Sequence, residues 1–219
     1  MICFLGAFLF TVMTDFDRKK HWETIYQTKQ LEDVSWYQPT PETSLQFIAD
    51  FKIPKNAKII DVGGGDSLLI DHLLDLGFTN LTVLDISQAA LERAKKRLGK
   101  RAELVTWIVA DAANFQPSKK YDFWHDRAAF HFLTDEADIA NYLTTVEQSL
   151  NTEGIFVLGT FSENGPTKCS GIEIKQYSEK AMHERLSMNF EKIKCIVVDH
   201  LTPSDKIQNF VFCSFKKRS

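Results

Sequence analysis

The sequence predicts an α/β fold. A mostly parallel seven-stranded sheet is closed at one edge by an antiparallel C-terminal hairpin, with helices on both faces. Three observations carry this expectation. From residue 58 to residue 161, short apolar runs alternate with helix-period segments, and that alternation implies parallel strands joined by helical crossovers. The last two strand-like runs are joined by the turn Thr202-Pro203-Ser204-Asp205, which favours an antiparallel pair. Finally, Lys58-Ile59-Ile60-Asp61-Val62 runs straight into Gly63-Gly64-Gly65-Asp66-Ser67, a strand followed by a glycine turn and a helix start.

Each element has its own signal. Asp17 to Gln27 reads as a short amphipathic helix with Trp22, Ile25 and Tyr26 as its apolar positions. Residues 31–41 form a loop, and Pro41-Glu42 opens a helix to about Phe51 with proline in its first turn. Strand one is 58–62, and a helix over 67–76 ends at Gly77. Strand two is 81–86, and Ser87 caps a helix that runs to Leu98 and stops at Gly99. Strands three and four are 104–109 and 121–125. Thr134 is expected to cap a helix over 135–150, with acids in its first turn. Strand five is 155–161, a helix spans 177–188, and the final strands are 193–200 and 207–215.

Composition agrees with one domain over residues 1–219, with 14–55 forming N-terminal helices and a lid and 56–219 a ligand-binding core. A chain of this length buries roughly 70% of its unfolded surface. Formal net charge is -3, which leaves no basic stripe for nucleic acid. The four cysteines, at positions 3, 169, 195 and 213, lack Cys-x-x-Cys spacing. That argues against zinc and for free thiols in a reducing cytoplasm. Residues 1–13, MICFLGAFLFTVM, are strongly apolar but fall short of the ~20 residues that span a bilayer. They read as upstream of a true start at Met13, as an extra element packed on the domain, or as a weak anchor.

The glycine turn points to a nucleoside-type ligand. Glycines remove side chains where backbone and ligand approach and allow φ > 0. About 20 residues on, Asp85 ends the second strand, where it can accept from a ribose diol. Asp85 competes with a bland role as a helix cap, but Ser87 fits that role better. A dinucleotide fingerprint would need glycine at position 68, which is Leu68, and Asp66 would repel a pyrophosphate. S-adenosylmethionine carries no phosphate and tolerates an acidic neighbour.

Asp61, Gly63 and Gly65, with Ser67 in place of a last glycine, resemble motif I of the class I S-adenosylmethionine-dependent methyltransferases, a Rossmann-like superfamily. Leu84-Asp85-Ile86-Ser87, Trp107 to Ala112 and Tyr121 to Asp126 are similar to the ends of the family's second, third and fourth strands. The resemblance covers roughly residues 56–215 and implies S-adenosylmethionine as cofactor. It implies Asp61, Gly63, Gly64, Gly65, Asp85, Ile86, Asp111 and Ala112 around that cofactor, with Asp111 either on the adenine amino group or capping a turn. In the family the N-terminal segment often folds back as a lid, which puts Trp36 and Tyr37 over the cofactor or leaves them as anchors. Residues facing the transferred methyl follow strand four, so His125, Asp126 and Arg127 are the catalytic candidates, as base, orienter and anion clamp, with His131 beyond them. Their alternative is a structural Asp126–Arg127 pair. The loop 161–171 faces the substrate, and Cys169 within it is read first as a bland small residue. His21, His72, His183 and His200 have no partner cluster.

The expected activity is therefore methyl transfer to N, O or S of a small molecule or of a protein side chain presented into a closed pocket. The alternative is a non-catalytic S-adenosylmethionine- or nucleotide-binding protein on the same fold. No nucleic acid partner, metal or stable membrane span is expected.

Overall fold

The computed structural model describes residues 16–218. Five parallel strands come first: β1 (Lys58–Val62), β2 (Asn80–Asp85), β3 (Val105–Val109), β4 (Tyr121–Arg127) and β5 (Leu150–Phe161). After a two-rung hairpin, β6 (Lys168–Cys169) and β7 (Ile172–Glu173), the chain ends in β8 (Phe190–Leu201) and β9 (Ile207–Lys217). The main sheet runs β3-β2-β1-β4-β5-β9-β8, with β9 antiparallel to both of its neighbours. The expected seven strands and antiparallel edge are present.

The helices are α1 (Arg18–Thr28), α2 (Glu42–Asp50), α3 (Leu69–Asp75), α4 (Gln88–Leu98), α5 (Glu136–Ser149) and α6 (Glu179–Leu186). They cover both faces, so β1 and β2 are buried along nearly their whole length, as parallel strands require. One face packs Trp124, Tyr142, Phe156, Phe190 and Phe215. The other packs Phe47, Phe123, Phe161, Phe210 and Phe212. Gly159 sits mid-strand because a Cβ there would run into the Phe212 ring.

Caps behave largely as the residue types dictate. Ser87 Oγ accepts from Ala90 N–H at the start of α4, and Gly99 ends that helix with φ 58°. Pro41 stands at the cap position before α2 rather than inside its first turn. Asp135, not Thr134, caps α5: its carboxylate accepts from the N–H groups of Ala137 and Asp138. An ionised acceptor outcompetes a hydroxyl one residue earlier, because it also meets the positive end of the helix dipole.

Other differences come from pairing. β4 continues through Arg127 because β5 keeps offering partners, Asp126↔Leu158 and Arg127↔Gly159. β8 starts at Phe190 because β9 continues to Lys217 opposite it. The expectation of free thiols fails at two positions: Cys195 and Cys213 face each other across β8 and β9 and are joined as a disulfide. Cys169 is the free, buried cysteine of the described residues. The apolar run 1–13 lies outside those residues. Among them, no helix is long and apolar enough to cross a membrane.

The capping assignment gives a direct expectation. Asp135→Ala should cost about 1 kcal/mol of unfolding free energy, and Thr134→Ala only a few tenths. Urea denaturation of the two variants measures this, and equal losses would return the cap to Thr134.

Candidate functional site

A cavity opens at the carboxyl ends of β1, β2 and β4, where the strand order changes direction, the usual ligand position in such sheets. Asp61, Gly63, Gly64, Asp85, Ile86, Asp111, Ala112, His125 and Arg127 all line it, with Trp36 and Tyr37 from the N-terminal segment.

The turn after β1 is tied to β2: the N–H groups of Gly63 and Gly64 both donate to the Leu84 carbonyl, at 2.8 and 3.2 Å. Gly63 has φ 67°, and a Cβ there would collide with the Cβ of Ala129. Gly65, also at positive φ, faces Tyr26, whose hydroxyl stands where a Cβ would project. Asp66 turns inward and pairs with Arg93 at 2.9 Å. Burial pushes its carboxyl up, and Arg93 and Arg97 pull it down.

Asp85 is buried at the tip of β2. Its Oδ1 accepts from Ser87 N–H at 2.8 Å, so it steadies the turn as well as facing the cavity. Burial pushes its pKa up to about 7, against hydrogen bonds from the Ser87 and Gly65 N–H groups that lower it. Asp111 does cap a turn, accepting from Ala113 N–H at 3.0 Å, and its other oxygen pairs with Arg18 at 2.9 Å.

Strand alternation divides the expected catalytic cluster. His125 faces the cavity, yet both ring nitrogens have partners. Nδ1 lies 2.7 Å from Asp61 Oδ1 and Nε2 lies 2.9 Å from Ser44 Oγ. Asp126 faces the opposite side and does not line the cavity. It is fully buried and accepts from the N–H groups of Ala129 and Phe130 and from the Tyr142 hydroxyl, at 3.0, 3.1 and 2.7 Å. Burial outweighs those bonds and raises its pKa to about 6. The expectation of Asp126 as a catalytic residue does not fit this placement, nor does an Asp126–Arg127 pair. His131 is also fully buried behind the wall; its Nδ1 accepts from Phe161 N–H, and burial and then Arg127 pull its pKa down to about 3.

Arg127 faces the cavity. Its Nη1 donates to the Trp36 carbonyl at 3.1 Å, and its guanidinium lies 5.1 Å from the centre of the Phe210 ring. Cys169 lines the cavity too, but burial pushes its thiol up, away from a reactive thiolate.

Several wall residues escaped the sequence reading: Trp22, Tyr26, Ser44, Gln208 and Phe210. Trp22 was expected only as a hydrophobic anchor. Its ring lies 5.8 Å from Trp36 and 4.8 Å from Phe132, and Tyr26 lies 6.2 Å from Trp36. The i, i+4 spacing of Trp22 and Tyr26 was the available signal. Polar contacts hold α1 in place: Glu23 accepts from Ala89 N–H and Ser87 Oγ at the start of α4, and Arg93 donates to the carbonyls of Tyr26 and Lys29.

Residues 60–156 match the methyltransferase domain family. Motif, sheet order and this match agree that the chain has the class I methyltransferase fold. Among its relatives is malonyl-[acyl-carrier protein] O-methyltransferase 1 of Ilyobacter polytropus, 34% identical over 109 residues, which are 49% of this chain and 39% of that one. Another is EEF1A lysine methyltransferase 2 of Mus musculus, 24% identical over 158 residues, 64% of each chain. The chain thus spans less than two thirds of the length of these curated relatives. The N-methyltransferase NodS of Bradyrhizobium japonicum, solved with S-adenosylhomocysteine, superposes with a TM-score of 0.72 at 15% identity, over 93% of this chain and 100% of that one.

The two raised carboxyls fix a pH dependence. In the unfolded chain both titrate near 3.8, whereas in the folded protein Asp126 titrates at about 6 and Asp85 at about 7. Through these two groups the native state holds more protons than the unfolded one between about pH 4 and 7, so their contribution to stability falls as pH rises through that window. His131 and His200, whose pKa values burial lowers, act in the opposite direction below about pH 6.5. Relative to Asp85→Asn, the urea midpoint of the ligand-free parent should fall from pH 5 to pH 8. An equal pH slope in parent and variant would contradict the assignment.

Proposed function

We propose that this protein is an S-adenosylmethionine-dependent methyltransferase that transfers a methyl group to N, O or S of a small molecule or of a presented side chain. The observation that carries the reading is Asp85, a buried carboxylate at the tip of β2, facing the same cavity as the Gly63-Gly64 backbone.

The wall residues fit that cofactor. The glycine turn leaves a side-chain-free surface for its amino-acid end, and Asp85 suits the ribose diol, with ionisation favouring the contact. Ile86 and Ala112 flank an adenine position, and Asp111 serves its amino group in exchange for part of the Arg18 pair. The cluster of Trp22, Tyr26 and Trp36 offers ring faces to a sulfonium. When bound, S-adenosylmethionine supplies a methyl group activated for in-line displacement. The protein's own contribution is alignment and exclusion of water. In this reading residues 14–55 are the lid and 56–219 the core.

Roles after β4 change accordingly. His125 is a positioning residue: held between Asp61 and Ser44, it joins β1 to α2 at the cavity floor. Asp126 organises the turn behind it. Arg127 keeps its place toward the acceptor. The named relatives act on a malonyl-[acyl-carrier protein] and on a lysine of EEF1A, which supports O or N as acceptor atoms. A cytoplasmic placement goes with this reading, a compartment in which the Cys195–Cys213 disulfide would be exposed to reduction.

The alternative, a non-catalytic binder, draws on the structural partners that engage His125 and Asp126. Calorimetry of the cofactor product separates these readings from a different ligand altogether. S-adenosylhomocysteine should bind with micromolar affinity or better, and Asp85→Ala should weaken it at least tenfold, as expected for loss of a charge-assisted contact. Unchanged affinity in that variant would remove the cofactor from β2. Consumption of S-adenosylmethionine with an acceptor then distinguishes enzyme from binder.

A further inference from the structure

We propose that the end of the cavity between β4 and β9 is an acceptor pocket for a carboxylate-bearing small molecule, with Arg127 receiving the carboxylate and Gln208 a neighbouring polar group. This rests on the methyl-transfer reading of the cavity.

The first support is an unmet donor. Arg127 Nη1 donates to the Trp36 carbonyl, but Nη2 is buried without a hydrogen-bond partner. Among the described residues, no carboxylate forms an ion pair with this guanidinium. The acid that most favours its charge is Asp61, which is already bonded to His125. A guanidinium keeps its proton in a protein, so the charge stays and calls for an anion from outside the chain.

The second support is an unmet amide in the same cavity. Gln208 is 8% exposed, and its Oε1 has no partner. Alternation along β9 places Gln208 on the same face as Phe210, the ring against which Arg127 lies. A buried amide oxygen without a partner is costly, and flipping the amide would present a donor at that spot instead. Phe210 and Phe161 supply an apolar wall for the body of such a molecule.

The third support is the chemistry that the wall lacks. An ammonium acceptor must shed a proton before it attacks. His125 has both nitrogens engaged, Asp126 faces away, and His131 does not line the cavity. An ammonium entering here would also meet the positive charge of Arg127. At the Arg127 end, where Asp61 is already bonded to His125, an anion is favoured over the ammonium of a lysine side chain.

Three probes with one body and different heads test this: benzoate, benzamide and benzylammonium. Each is titrated calorimetrically into the full chain, with and without saturating S-adenosylhomocysteine. Benzoate should bind at least tenfold more tightly than benzylammonium. Arg127→Gln should weaken benzoate at least tenfold while S-adenosylhomocysteine affinity stays within threefold. Gln208→Glu, which adds a negative charge to the same wall, should weaken benzoate by a similar factor and leaves the test standing if Arg127→Gln does not fold. Benzylammonium binding as tightly as benzoate, no benzoate binding up to about 10 mM, or unchanged benzoate affinity in a folded variant overturns the proposal. If S-adenosylhomocysteine fails to bind while benzoate binds as described, the cofactor reading falls and the anion pocket stands.

Discussion

The hydrogen bond between Asp61 and His125 is the constraint on which the cavity depends. The two residues are direct register partners on β1 and β4, and both side chains are nearly inaccessible to water. A buried carboxylate is tolerable only when it is paired and hydrogen-bonded. His125 meets that need and passes the constraint to α2 through Ser44. The floor is therefore a three-element polar chain, and it determines which groups remain free. A histidine whose two nitrogens are engaged holds geometry well and shuttles protons poorly.

Around that floor, the N-terminal segment acts as part of the site. Its aromatic residues face inward, while Glu23 seats itself on the first turn of α4, where free N–H groups and the helix dipole favour an acid. Arg93 holds the far end of α1 by two backbone carbonyls and also neutralises Asp66 in the glycine turn. The N-terminal segment and the turn thus share one guanidinium.

Much of this was legible in the sequence, for identifiable reasons. Strand boundaries at β1 and the cap-and-stop signals of α4 follow from local chemistry: apolar runs, Ser87, Gly99. The strand-end part of the cavity wall was legible because its residues sit where order along the chain translates directly into position. Asp126 was misjudged because adjacent residues on a strand point to opposite faces, and proximity in sequence does not reveal which face is the cavity. The contact between Gly65 and Tyr26 was not legible, because Tyr26 comes from a distant helix. Ser44 and Gln208 carried no signal at all; a lone serine and a lone glutamine acquire meaning only once packing leaves or removes their partners. The Cys195–Cys213 link is a matter of β8–β9 register, which spacing rules for metal sites do not address.

The packing of Gly63 against Ala129 has a consequence for how this sequence can change. A side chain at position 63 is barred by a methyl group that belongs to the loop after β4, not to any ligand. A larger residue at position 129 would press on the same spot from the other side. The two positions, far apart in the chain, therefore constrain each other: position 63 can carry a Cβ only if position 129 loses its methyl, and Gly63 has no side chain to give up in return. Because Gly63 and Ala129 both line the cavity, this mutual restraint also limits how far its width can drift. Changes in the shape of the cavity must then come through walls outside the pair, above all β9 and the N-terminal segment.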